Sequence, residues 1–365
     1  MSRLFNFSKN DYEQTPLIFG TTMGLMDTLH RPYPEIWDLY KNTTRMDWDE
    51  QEFAADFMSC RTDFATCDKT VYDMMIINLA YQWEADSTAS RAIISTLAPI
   101  ISSTDLWTAW QRISDNESVH AATYSEIVRC GFEDTSTVMQ EILNIQQAQK
   151  RLTIIVDVFE QAYEASLQYA LDRVYSQELY DKIFMFVVAL YCLERIQFMA
   201  SFAITFAIAQ TGLFMPIGKA VQKICIDEYF VHAPFDQAVL NRLMQTEEGL
   251  MAFNRNRDKI KKLIDDVVQS EYDWLEFAFS EGRELTGVDI ESLNKWVLWN
   301  AKPVYEFFSF SLPTDTPTKS PLHFMDDWIN ISKVQGAPQE QKLGSYLLGG
   351  FIRDTDNLVF DTKGI

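Results

Sequence analysis

Glutamate and histidine three or four residues apart share a helical face. This chain carries two such pairs, each with an acidic residue about thirty positions upstream. The first set is Asp86, then Glu117 and His120; the second is Glu194, then Glu228 and His232. Only four histidines occur in 365 residues (His30, His120, His232 and His323), so half of them lie in this pattern. An isolated E-x-x-H is common and means little. Four carboxylates and two imidazoles spread over two helical hairpins are a ligand set for two metal ions inside a four-helix bundle. Hard oxygen ligands with one imidazole per ion suit iron or manganese, and the lack of thiolate pairs argues against structural zinc.

The spacing also says which elements must carry these groups. Asp86 and Glu117 are equally far from the polar break Ile101-Ser102-Ser103-Thr104-Asp105, and Glu194 and Glu228 from the break at Thr211-Gly212. In an antiparallel helix pair, residues equidistant from the turn lie at one depth. Each hairpin therefore sets its early carboxylate level with its later Glu/His pair. Ser103 or Thr104 can cap the helix that carries Glu117. Glu228 and His232 are one residue further apart than Glu117 and His120; four residues still share a helical face, and a π-bulge is another way to absorb the excess. Asp227 is the other candidate acid there, but five residues from His232 it faces away.

Composition supports a helical frame. Hydrophobic residues make up 47%, with only 13 glycines and 11 prolines, and long stretches repeat apolar residues at three and four. The net charge of −21 argues against nucleic acid or an anionic membrane as partner. Five cysteines without a CxxC pair read as buried thiols of a reducing, cytoplasmic setting, and the first residues lack the apolar core of a signal peptide. The most apolar stretch, 183–209, is broken at its centre by Glu194, Arg195 and Gln197, which suits a buried helix with a functional group rather than a membrane span.

The expected fold is all-α: a ferritin-like di-metal carboxylate bundle with extra helices and a flexible C-terminal tail. Residues 1–65 are an aromatic-rich arm with short helices around Arg31-Pro32-Tyr33-Pro34, and 66–310 the bundle. Residues 311–335 form a proline-punctuated closing segment and 336–365 the tail. Within the bundle, breaks are expected near 101–105, Gly131, 175–176 and 211–218.

Tyr124 lies one turn beyond His120 on the same face, aiming its phenol at the ligands. Phe198, Phe202 and Ile224 are placed to surround it with apolar side chains that resist oxidation. Taken alone, such a tyrosine is more often an ordinary core residue.

Together these segments resemble the small, radical-generating subunit of class I ribonucleotide reductase over roughly residues 35–360. The matching segments are Asn78-Leu-Ala-Tyr-Gln-Trp-Glu-Ala-Asp86, Glu117-Ser-Val-His120-Ala-Ala-Thr-Tyr124, Glu194-Arg-Ile-Gln-Phe198-Met-Ala-Ser-Phe202, and Asp227-Glu228 with His232. The usual family spacing in the last pair is three residues, not four. Met46-Asp-Trp48-Asp-Glu-Gln-Glu52-Phe resembles the segment whose tryptophan carries electrons between surface and metal site, paired with the aspartate that here is Asp227. Trp37 is a competing candidate without the W-x-x-x-E-F context. Glu340 to Tyr346 resembles the tail segment whose tyrosine relays the radical, and Asp354 to Asp361 the acidic, aromatic peptide that docks on the large subunit.

The resemblance implies a function and a division of labour. Two iron ions per chain, with manganese the other candidate, are held by Asp86, Glu117, His120, Glu194, Glu228 and His232. With dioxygen and an electron donor they leave a stable radical on Tyr124. On docking to the large, catalytic subunit through the tail, the oxidising equivalent leaves by Trp48, Asp227 and Tyr346, with Glu340 managing protons at the boundary. The partner reduces a ribonucleoside diphosphate to the deoxyribonucleotide for DNA synthesis, and a homodimer is the family habit. Two rivals remain: a di-metal oxidase or oxygenase on the same bundle, and a non-catalytic iron-binding or scaffold protein. Neither needs the Tyr346 segment.

Overall fold

A computed structural model describes residues 16–20, 24–26 and 28–331. Tyr346, Glu340 and the docking peptide lie outside the described residues. Among the described residues the regular structure is helical, with only two isolated β-bridges.

Four helical rods form the centre. The first two are α4 (Lys69–Leu97) and α5 (Thr104–Gly131), packed along their length as a hairpin. The connection falls at the polar 98–103 stretch, and the Ser103 hydroxyl caps α5 by accepting from the Leu106 amide at 3.4 Å. The third rod runs through α8 (Gln177–Cys192), a π segment (Leu193–Gln197) and α9 (Met199–Gln210). The fourth is α10 (Met215–Asp227), a second π segment (Glu228–His232) and α11 (Ala233–Met244).

The third rod is apolar on every side, and every residue from Met199 to Ala209 is buried. Such a helix is stable only when wrapped by others. α7 (Gln146–Asp172), α12 (Glu247–Ala278) and α13 (Ile290–Phe307) do this from outside the four-rod centre. Its length and hydropathy would let it cross a membrane, but 89% of its most apolar window is buried inside the bundle.

The turn between the third and fourth rods is tight. Gly212 takes φ +91°, a conformation that L side chains rarely adopt. Gly218 faces Ala209, whose Cβ would lie 2.7 Å from any Cβ added there. Together the two glycines let α10 fold back closely on α9, so that the two π segments come level with each other.

The other helices are peripheral. α1 (Pro34–Arg45) starts at a proline, whose missing amide costs nothing in a first turn, and packs on α5. The 3₁₀ turn Glu50–Phe53 and the short α2 (Ala54–Phe57) also lie on α5. α3 (Cys60–Thr66), α6 (Thr135–Leu143) and α14 (His323–Trp328) complete the set. The breaks at 98–103, after Gly131, at 173–176 and at 211–214 coincide with those expected from sequence. The stop at Asn144-Ile145, which separates α6 from α7, carried no proline or glycine to announce it.

Candidate metal centre

The four rods bring all six expected ligands to one place inside the bundle. Asp86, Glu117, His120 and Glu228 form one group, and Glu117, Glu194, Glu228 and His232 a second. In each group one ligand atom per residue lies within 4.8 Å of all the others, and every member is buried. Glu117 and Glu228 belong to both groups. The two groups thus overlap in two glutamates, and each adds one imidazole and one further carboxylate, a donor set that would suit two neighbouring metal ions.

Both histidines are oriented for ligation from behind. His120 Nε2 is 3.1 Å from Asp227 Oδ2, and His232 Nε2 is 2.9 Å from Asn116 Oδ1. With these nitrogens donating, each Nδ1 presents its lone pair to the acids. A second partner that fixes the tautomer in this way is the usual support of a metal-bound imidazole.

His120 Nδ1 lies 2.9 Å from Glu228 Oε1. His232 Nδ1 lies 2.8 Å from Glu117 Oε1 and 2.7 Å from Glu228 Oε2. The two Nδ1 atoms meet Glu117 and Glu228 only as close ion-pair contacts, and neither oxygen of Asp86 nor Glu194 Oε2 has a hydrogen-bond partner of ordinary geometry. Buried polar atoms that converge without pairing are costly unless something charged joins them. Hard oxygens and neutral imidazoles fit a divalent ion of the iron or manganese kind.

The electrostatics agree. Burial, and next the Glu117 charge, push the Asp86 carboxyl well above the usual carboxylate range; burial, then Glu228 and Glu117, do the same to Glu194. Burial also pushes both imidazoles down, but the surrounding acids outweigh it. His120 is held well above its usual pKa by Asp227, Glu117 and Glu228, and His232 rises to about 10 beside Glu228 and Glu117. For Glu228, burial is outweighed by the two imidazoles and its pKa is lowered. The raised values on Asp86, Glu194 and both imidazoles mark a surplus of buried negative charge that favours bound cations.

The extra residue between Glu228 and His232 is taken up by the π turn. Phe230 points outward, 36% exposed, while Glu228 and His232 both face the ligand cluster. Asp227 joins neither ligand group. It accepts from Trp48 Nε1 at 2.8 Å and Asn116 Nδ2 at 3.3 Å, as well as from His120. The Trp48 ring stacks on His120 with centroids 5.8 Å apart and planes at 21°. A continuous polar link therefore runs from Trp48 through Asp227 to His120. Trp37, the competitor, lies on α1 with the Arg31 guanidinium 3.6 Å above its ring.

Tyr124 is fully buried, with Asp86 the carboxylate that acts on its hydroxyl. Burial, then the charges of Asp86, Glu228 and Glu117, hold its phenol protonated well above the usual range. Phe198, Phe202 and Ile224 are fully buried. The two phenylalanine rings stack at 5.6 Å, and Phe198 also packs against Tyr81 at 6.2 Å.

Sequence reasoning missed Asn116 and Tyr81. Asn116 stands four residues before His120, on the same face of α5, which is the signal that would have found it. Tyr81 carries no such signal; its place is set by packing against Phe198 and Trp274.

Fold and site define a class, the di-metal carboxylate helical bundles. The family model "Ribonucleotide reductase, small chain" matches residues 27–310, and the chain belongs to that family. It is 27% identical to ribonucleoside-diphosphate reductase 1 subunit beta of Escherichia coli O157:H7 over 97% of both chains. It is 25% identical to the corresponding beta subunit of Enterobacteria phage T4 over 98% of both. Among solved structures, the ribonucleotide reductase R2 subunit from Clostridium botulinum superposes with a TM-score of 0.75 at 15% identity. That match covers 90% of this chain and 98% of that one. The dimanganese(II)-NrdF of Streptococcus sanguinis gives 0.67 at 13% identity, over 84% and 99%. These structural likenesses speak for the fold.

Proposed function

We propose that this chain is the radical-generating subunit of a ribonucleoside-diphosphate reductase. It holds two iron ions and passes an oxidising equivalent to a separate large subunit. The observation that carries the reading is the pair of four-residue groups sharing Glu117 and Glu228, with polar atoms converging in a fully buried interior. When bound, two ferrous ions would supply two of the four electrons that take dioxygen to water, with Tyr124 and an external donor supplying one each.

The protein's own residues do the rest. Asp86, Glu117 and Glu228 with His120 hold one ion; Glu194, Glu117 and Glu228 with His232 hold the other. Asp227 and Asn116 fix the imidazoles so that Nδ1 is free to ligate. Tyr124 would give up an electron to the oxidised metal centre and its phenolic proton toward the neighbouring Asp86 side, and would remain as a neutral radical. Its burial keeps water and reductants away. Trp48 gives the exit: its indole N–H donates to Asp227, which also accepts from His120, so an electron can pass inward while protons stay within the hydrogen-bonded chain.

Beyond the described residues, Tyr346 continues the relay, Glu340 manages protons at the boundary, and the tail docks on the large subunit. The diphosphate substrate follows the relatives' names. A homodimer, an external electron donor and a cytoplasmic setting belong to the same reading.

The test is deletion of residues 336–365, assayed with the large subunit. Loss of ribonucleotide reduction with metal uptake unchanged is the expected result. Undiminished reduction without the tail would contradict the docking role, and with it the division of labour between two subunits.

A further inference from the structure

Arg151 on α7 is 2% exposed, and a buried guanidinium needs a reason. Its Nε and Nη2 form a fork on Glu271 of α12, at 2.6 Å each. Nη1 donates to Ser201 Oγ at 2.8 Å, and Nη2 also donates to the backbone carbonyl of Gln197. The guanidinium lies 3.5 Å over the Tyr81 ring, and Gln197 Nε2 donates back to the Arg151 carbonyl at 3.1 Å.

These partners mark a particular point in the third rod. Gln197 is the last residue of the π segment that carries Glu194. Ser201 is the residue whose amide a regular α-turn would offer to the Gln197 carbonyl. The guanidinium therefore grips the rod where π returns to α, and Trp296 Nε1 donates to the Met199 carbonyl just beyond, at 2.9 Å. A π turn holds one residue more than the α-turn it replaces, and side-chain bonds to its last carbonyl favour it over the regular turn. Relaxing it would shift the register by one residue, about 100° of helical rotation, and turn Glu194 away from its present neighbours. Stability alone does not account for the pair, since apolar side chains of similar size often serve a core equally well.

We propose that Arg151, held in place by Glu271, is a positioning residue for Glu194. It clamps the carbonyl end of the π segment and so fixes the carboxylate that distinguishes one metal position from the other. The inference rests on the dinuclear reading above.

The test titrates the purified chain with manganese(II) under argon, counting free ion by electron paramagnetic resonance, beside thermal unfolding followed by circular dichroism. Wild type takes up two ions per chain. In the double variant Arg151→Met with Glu271→Met, the thermal midpoint holds or rises, while one of the two ions binds at least about 10-fold more weakly. Glu194→Ala identifies which ion that is. Arg151→Lys keeps a charge opposite Glu271 but cannot reach Glu271, Ser201 and the Gln197 carbonyl together, and it weakens the same ion. Arg151→Lys carries the test if the double variant does not fold. Two ions bound with wild-type affinity in the variants that fold, whatever happens to the midpoint, would overturn the inference and leave the dinuclear site standing. Fewer than two ions in wild type would overturn the dinuclear reading and this inference with it.

Discussion

Asp227 accepts hydrogen bonds from Trp48, Asn116 and His120, so the proposed exit route, the orientation of an imidazole and local charge balance all meet on one carboxylate. Removing a group behind a ligand weakens the ligand. Asn116→Ala frees the Nε2 side of His232 and is expected to lower metal affinity by about 10–100-fold with the fold intact, measured by equilibrium titration. Trp48→Phe keeps an aromatic ring over His120 but takes the indole N–H from Asp227, so it breaks the proposed exit and also removes one partner from the group behind His120. It should weaken metal uptake less than Asn116→Ala does and abolish turnover with the large subunit in the metal-loaded protein; a loaded variant that turns over normally would remove Trp48 from the route. The ligands were legible because chemistry restricts them to a few residue types at helical spacing. Asn116 was not singled out because asparagine is common on helices and shows its role only when two partners converge on it. Arg151 with Glu271, 120 positions apart, left no local trace at all.

Helices fix how far these groups can err. The hairpin arithmetic worked because α4 with α5, and the third rod with the fourth, pack as antiparallel pairs whose turns carry readable residues: Ser103 as a cap, Gly212 at positive φ. For the π segment at Glu228–His232 the spacing leaves two options, an ordinary helix whose residues four apart share a face or a π turn, and the fold takes the second. That at Leu193–Gln197 was not foreseeable, since it carries a single ligand and no spacing to violate. If the former only absorbs an extra residue, deleting the outward-facing Phe230 gives an ordinary helix with a three-residue Glu/His separation. Two-metal binding should then survive to within about 10-fold, because residues three apart still share a face. Loss of both ions on that deletion would mean that the π geometry itself is required.

At the scale of the whole molecule, the buried cluster couples folding to cations. His232 has its pKa raised from about 6.5 unfolded to about 10, so its stabilisation is fully present below pH 6.5 and fades as pH rises through 10. His120 is shifted the same way. The chelated protein should therefore lose thermal stability progressively from about pH 6.5 to 10. The metal-loaded protein should not, because bound ions replace those protons. Loading should also raise the midpoint, by an amount equivalent to about 2.7 kcal/mol per ion at a free concentration 100 times Kd. A pH-independent midpoint in chelator would contradict this linkage. The most direct test of the central claim is electron paramagnetic resonance of the protein loaded anaerobically with ferrous iron and then exposed to oxygen, beside Tyr124→Phe. The account predicts a stable tyrosyl signal in wild type and none in the variant, with two irons bound in both. Two bound irons with no tyrosyl signal in wild type, or a signal that survives the substitution, would contradict it.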